Sequence, residues 1–159
     1  MSGARTEGVA AVRIRRAEPG DAAAVAALFD GYRQFYGRES DLDGARRFIV
    51  ERLAAGDSTV LLAEAGDEAI GFAQLYPSFT SVGMGRIWVL NDLFVAPAHR
   101  GIGAGRALLE AAAAFGRETG ARRLTLSTQV TNTTAQAAYE AGGWMRDCEF
   151  YVYNLQLTS

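Results

Sequence analysis

The chain contains no lysine: all 16 of its basic residues are arginine. That absence excludes a Schiff-base lysine and the lysine of a phosphate-binding P-loop. Abundant alanine and glycine beside the arginines mark it as compositional bias. Cysteine and histidine occur once each, as Cys148 and His99. A single cysteine forms no internal bridge, which agrees with a reducing, cytoplasmic setting. A single histidine excludes a His-based metal cluster, so no metal is expected. Cys148 lies between Asp147 and Glu149, a poor setting for a thiolate nucleophile, and His99 reads as a loop residue. No apolar run approaches the ~18 residues needed to span a bilayer. Met1–Val12 lacks the basic start and apolar core of a signal peptide. The arginines are scattered and the net charge is −2, which leaves no basic footprint for nucleic acid.

What is present suits one globular domain. The 159 residues are 49% hydrophobic and 21% charged, and a chain of this length folds without disulfides or a structural metal. Residues 1–11 read as a flexible tail and residues 12–159 as a single domain. Val12–Arg15 alternates as a half-buried strand. Asp21 is placed to cap a helix over Ala22–Tyr36, and a second helix runs over about Asp43–Ala54 to Gly56. Thr59–Glu64 and Ala69–Tyr76 form a hairpin across Gly66-Asp67-Glu68, and Arg86–Val95 is the next strand of an antiparallel meander. A helix over Arg106–Thr119, ended by Gly120, leads to a strand over Leu124–Val130. This strand–helix–strand spacing makes a βαβ unit with parallel strands. A short helix over Thr133–Ala141 and an alternating last strand over Phe150–Leu157 complete a mixed α/β domain of α+β type around one sheet.

The turn between the third meander strand and its helix is the informative stretch. Arg100-Gly101-Ile102-Gly103-Ala104-Gly105-Arg106 opens directly into a helix, whose first amides have no internal partners and sit at the positive end of the dipole. Glycine lets the backbone approach a phosphate, and Arg100 and Arg106 add charge. A tight strand–helix connection with a capping role is the alternative on the glycines alone. Two named competitors fail. A P-loop needs Lys and Ser/Thr where Arg106-Ala107 stands, and the Gly101-x-Gly103-x-Gly105 spacing is not that of the dinucleotide fingerprint.

The segment resembles the acetyl-CoA motif of GNAT-superfamily N-acetyltransferases, Arg/Gln-x-x-Gly-x-Gly/Ala. Downstream, Asn132 to Trp144 resembles that family's Asn-x-x-Ala-x-x-x-Tyr-x-x-x-Gly-Phe/Trp signature, and the similarity extends over nearly the whole chain in element order. The resemblance implies a GNAT-like fold, an antiparallel meander followed by a parallel βαβ unit with helices on both faces. It implies acetyl-CoA as co-substrate and an amine acceptor. The amides of Gly101, Ile102, Gly103, Ala104, Gly105 and Arg106 would hold the pyrophosphate, and the strand end at Phe94 and Val95 would pair with the pantetheine arm. Asn132 would cap its helix and touch that arm, and Tyr139 would point towards the thioester sulfur. A cap only, and a packing tyrosine, are the simpler alternatives for these two. A looser similarity to the polyamine, histone and D-amino-acid acetyltransferase subgroup, carried by Leu90–Val95 and Phe150–Tyr153, implies a homodimer.

The chemistry needs a base, because an alkyl ammonium with a pKa near ~10 does not attack until it is deprotonated. Asp92, alternating with Trp88, Leu90 and Phe94 on one strand face, is the candidate; a structural or substrate-binding carboxylate is the alternative. Tyr139 is the candidate acid for the leaving thiolate, and a strand amide is a donor for the oxyanion. Glu39, Asp41 and Asp43 form an acidic stretch where the family admits its acceptor; a solvated loop is the alternative. A polyamine or amino acid type amine is favoured. A protein or peptide acceptor, or a non-catalytic acyl-CoA sensor, remains open.

Overall fold

A computed structural model describes residues 11–158. The tail expected over residues 1–11 lies, but for Ala11, outside the described residues, as does nearly all of the stretch lacking signal-peptide features. The chain divides into two compact units, one ending at Ser127 and the other beginning at Thr128.

The first unit carries the sheet. Its strands are β1 (Val12–Arg16), β2 (Thr59–Ala65), β3 (Glu68–Thr80), β4 (Gly85–Val95) and β5 (Leu124–Thr125), in that spatial order. The first three pairings are antiparallel, and β4 and β5 run parallel through Trp88 with Leu124 and Val89 with Thr125. Helices α1 (Ala22–Phe35) and α2 (Leu42–Ala55) bury Val25, Leu28 and Ile49 on Val60, Leu62, Phe72 and Phe94. Each such side chain contributes about 1.5–3 kcal/mol on leaving water. Gly31 permits a close approach here, since a Cβ on it would stand 3.2 Å from the Phe94 ring. Helix α3 (Ala104–Glu118) serves the other face, where Phe115 meets the Trp88 ring and Leu108 and Ala112 are fully buried.

Local chemistry explains the ends of these helices. Asp41 caps α2 by accepting from the Gly44 amide at 2.9 Å, so the helix starts one residue earlier than the sequence suggests. Gly56 and Gly120 end α2 and α3 in the left-handed region, at φ 63° and 72°. Asp21 stands at the N-cap position of α1 but makes no cap bond there. Its carboxylate instead accepts from the Glu18 amide and from both terminal nitrogens of Arg15.

Two strand expectations change. The strand over Leu124–Val130 is only two residues long, and the chain turns where the Asn132 amide reaches the Gln129 carbonyl. In the second unit, α4 (Thr133–Ala141) forms as expected, but Phe150–Leu157 joins no ladder. Asp147 accepts from the amides of Glu149 and Phe150 there, a local turn, and alternation alone makes no strand without a neighbour to pair with.

Candidate active site

β4 does not alternate uniformly. Asp92 pairs with Gln74 and Leu90 with Leu75, so Asn91 has no partner and is the extra residue of a β-bulge. The face therefore switches at Asn91. Trp88 and Leu90 point to α3, whereas Asp92 and Phe94 point to α1 and α2. The expected common face of Trp88, Leu90, Asp92 and Phe94 is corrected by this one residue, which a two-residue repeat cannot reveal.

The bulge delivers Asp92 into a dry setting, 3% exposed. Gln74 Nε2 donates to Oδ2 at 2.6 Å and Asn91 Nδ2 to Oδ1 at 3.0 Å. The Tyr32 hydroxyl donates to the Asn91 carbonyl at 3.2 Å. Burial pushes the Asp92 carboxyl above the usual range, and hydrogen bonds from Gln74, Asn91 and Tyr32 oppose part of that rise. Tyr76 is pushed up to about 12 by its own burial and by the Asp92 charge, and so keeps its proton at neutral pH. Neither Gln74 nor Asn91 stands out in the sequence as a site residue, although a lone amide within Gly71-Phe72-Ala73-Gln74-Leu75 is a signal.

The glycine turn lies in the same unit. A short 3-10 turn, Pro97–His99, leads from β4 into it. Gly101 and Gly103 adopt φ of 84° and 87°, and a Cβ on either would meet no atom within 4 Å. The first α3 amide bond outside the helix proper runs from Ala107 to the Gly103 carbonyl, which leaves the amides of Ala104, Gly105 and Arg106 without an intrahelical partner. Two left-handed glycines with open space at their Cβ positions, leading into amides without intrahelical partners at a helix start, fit a pyrophosphate. Arg100 donates from Nε to the Val95 carbonyl at 3.1 Å and lies over the rings of Phe35 and Phe94. Arg106 pairs with Glu110 along the exposed side of α3. His99 faces Glu68 at 3.3 Å.

β5 pairs with β4 only as far as Val89, so among the described residues of this unit no strand covers the outer edge of β4 from Leu90 to Val95. That open edge, ending at Phe94 and Val95, suits an extended amide-bearing arm. The acidic stretch is partly committed to structure: Asp41 is a cap and Asp43 lies in the first turn of α2. Buried Asp30, which the sequence did not single out, fastens this connection. It accepts from Ser40 Oγ at 2.7 Å, the Asp41 amide at 2.8 Å and Gln34 Nε2 at 3.1 Å, and these bonds hold its carboxyl below the usual range.

In the second unit Asn132 accepts from the Ala135 amide at 3.1 Å and so caps α4. Tyr139 packs its ring 6.2 Å from Trp144. Cys148 is free and exposed. Among the described residues no group of three or more His, Cys, Asp or Glu is arranged to hold a metal ion. No helix among them is long and apolar enough to cross a membrane. A concavity of about 200 Å³, lined by Ala113, Gly116, Arg117 and Arg122 among others, lies at the opposite end of α3 from the glycine turn.

Comparison with known proteins adds three likenesses and one family match. The model of the acetyltransferase (GNAT) family matches residues 25–144. An uncharacterized N-acetyltransferase of Bacillus subtilis, YhfO, is 48% identical over 146 residues, covering 92% of this chain and 98% of its own. An aminoglycoside N(6')-acetyltransferase type 1 of Stenotrophomonas maltophilia is 34% identical over 144 residues, 88% of this chain and 90% of its own. A crystal structure of a probable acetyltransferase superposes with a TM-score of 0.87 at 40% identity, covering 92% of this chain and 99% of the other.

Proposed function

The chain belongs to the acetyltransferase (GNAT) family, and from that membership we propose an acetyl-CoA-dependent N-acetyltransferase acting on a small molecule with a primary amine. The observation that carries this reading is the buried carboxylate of Asp92, turned by the bulge beside an uncovered stretch of β4 and a glycine-lined helix start. Acetyl-CoA brings an acetyl thioester when bound. The amides of residues 101–106 hold its pyrophosphate, and the edge ending at Phe94 and Val95 pairs with its pantetheine arm. Asn132 contacts that arm from the start of α4.

Asp92 takes a proton from the bound ammonium, and the neutral amine then attacks the thioester carbonyl within a ternary complex. A carboxylate whose proton affinity is raised by burial is a better base than one in water, and its charge also holds the cation. Tyr139 returns a proton to the departing thiolate, as an ordinary phenol titrates near ~10 and carries its proton at neutral pH. A backbone amide near the end of β4 receives the developing oxyanion charge.

A polyamine or amino acid type acceptor suits an acidic approach, Glu39 and Asp43 being exposed on the α1–α2 connection. The Stenotrophomonas maltophilia relative's name favours a second acceptor of the same chemistry, an amine on an aminosugar. Exposed Phe150, Tyr151, Val152 and Tyr153 support a homodimer, the single cysteine suits the cytoplasm, and the net charge of −2 favours neither nucleic acid nor an anionic membrane as partner. The test is thiol release from acetyl-CoA against spermidine, amino acids of both hands, kanamycin and a basic peptide. Release with a small amine above the buffer rate supports the proposal, and release with the peptide alone refutes it. Asp92→Asn is expected to damage amine use far more than CoA affinity, and unchanged steady-state constants would reduce Asp92 to a structural role.

A further inference from the structure

Three buried polar side chains stand in file on the α1–α2 face of the sheet. Ser58 begins the approach to β2, Gln74 has no exposed surface, and Asp92 follows on β4. The Ser58 hydroxyl donates to Gln74 Oε1 at 2.9 Å, and Gln74 Nε2 donates to Asp92 Oδ2 at 2.6 Å. Packing does not explain an amide here. Gln74 lies between Ala73 and Leu75 in a buried strand, where a methionine fills the same volume without desolvating a polar group. Its value lies in direction. A charged carboxylate accepts only, so the amide must turn its N–H₂ end to Asp92 and its carbonyl to Ser58, which then donates.

The remaining surroundings of Asp92 do not supply this bond. From α1 comes the Tyr32 hydroxyl, and from β4 the neighbouring Asn91 amide. From β3 comes Tyr76, which keeps its proton up to about 12. Arg52 of α2 and Asp57 beyond it act on Tyr76 and form an ion pair with each other at 3.1 Å. Thus among the described residues no cation is bonded to Asp92, and the hydrogen bonds that stabilise its charge come from neutral donors.

We propose that Gln74, oriented by Ser58, is the positioning residue of the amine-activating carboxylate, keeping Asp92 ionised and its Oδ2 tied to β3. This rests on the reading of Asp92 as the group that meets the amine. A donor bonded to a charged acceptor lowers that acceptor's proton affinity, so its loss moves the Asp92 titration to higher pH. The strength usual for such a bond corresponds to an upward shift of about one to two pH units. Ser58→Ala leaves Gln74 in place but unaimed and moves the titration the same way by less.

The experiment follows the Asp92 carboxyl carbon by ¹³C NMR in the full chain labelled at aspartate, with the resonance assigned by its absence in Asp92→Asn. The acid limb of kcat/KM is recorded in parallel with acetyl-CoA and the panel amine that turns over fastest. Gln74→Met is expected to raise both midpoints together while CoA affinity stays within about twofold of the parent, and Ser58→Thr, which keeps a hydroxyl, restores the parent behaviour lost in Ser58→Ala. If Gln74→Met does not fold, the Ser58→Ala and Ser58→Thr pair decides alone. An Asp92 titration unmoved in Gln74→Met or, failing that, in Ser58→Ala overturns the role of Gln74 and leaves the base reading standing. An acid limb that survives in Asp92→Asn overturns the base reading, and the positioning role with it.

Discussion

Gly103→Ala separates ligand approach from backbone strain. Gly103 sits at φ 87°, with no atom within 4 Å of a built Cβ. The methyl therefore clashes with nothing in the protein, and the folding penalty is the left-handed conformation alone, about 1–2 kcal/mol. For a chain of this size that lowers Tm by about 2–8 °C. Gly66, in the β2–β3 turn, offers a control: its φ is 59° and its Cβ site is equally open. Both alanine variants lose similar stability, but only Gly103→Ala places a methyl at the N-cap of α3, on the chain that would approach the pyrophosphate. Pushing a pyrophosphate off those amides removes charge-assisted bonds of about 1.5–3 kcal/mol each, so losing one weakens CoA binding about tenfold or more. Calorimetric titration of CoA into both variants, with melts of each, provides the comparison. Equal CoA affinity in the two variants, or a Gly103→Ala dissociation constant within twofold of the parent, refutes the cradle.

Tyr139→Phe keeps the ring contact with Trp144 and removes the proposed acid, so kcat falls by about 10²–10⁴-fold while CoA affinity holds; single-turnover rates within about twofold of the parent return Tyr139 to packing. Asp21 is lowered to about 2, chiefly by its hydrogen bonds with Arg15. A carboxyl depressed by folding adds stability above its unfolded pKa of about 4, and that stability is lost as the pH falls towards 2. Arg15→Leu should therefore flatten the acid side of a stability–pH curve from urea melts, and an unchanged slope between pH 4 and about 2 would show that the pair contributes nothing. Asp30→Ala unties Ser40 and the Asp41 amide from α1 and is expected to cost about 1–3 kcal/mol, read as a shift in urea midpoint at constant m.

Much of the fold was legible because its boundaries are written in residues with few alternatives. Gly56 and Gly120 stop helices, and Asn132 caps one, through backbone angles and side-chain reach that operate within four residues. The glycine turn was legible for the same reason. What failed was non-local. The Asn91 bulge depends on how β4 registers against β3, and no property of Asn91 alone announces it. Gln74 looks like any polar residue in a strand until its partner on the next strand is known. The alternation of Phe150–Leu157 states a willingness to pair and says nothing about the neighbour. Asp41 misled in the other direction, since a charge counted towards an acidic approach is occupied by a backbone amide of α2.

The bulge also changes what a deletion means. Removing Asn91 would bring Asp92 directly after Leu90, and their β3 partners Gln74 and Leu75 are themselves neighbours, so the ladder would close into regular alternation with Asp92 still opposite Gln74. What would go is the Asn91 amide bond to Asp92 and the carbonyl that accepts from Tyr32. Removing the paired Leu93 instead would bring Phe94 opposite Ala73 and turn its ring to the α3 side, so that Gly31 of α1 would face a gap where the ring had been. Two codons almost side by side thus carry opposite consequences: the register absorbs the loss of one, whereas the loss of the other reassigns the two sides of the sheet.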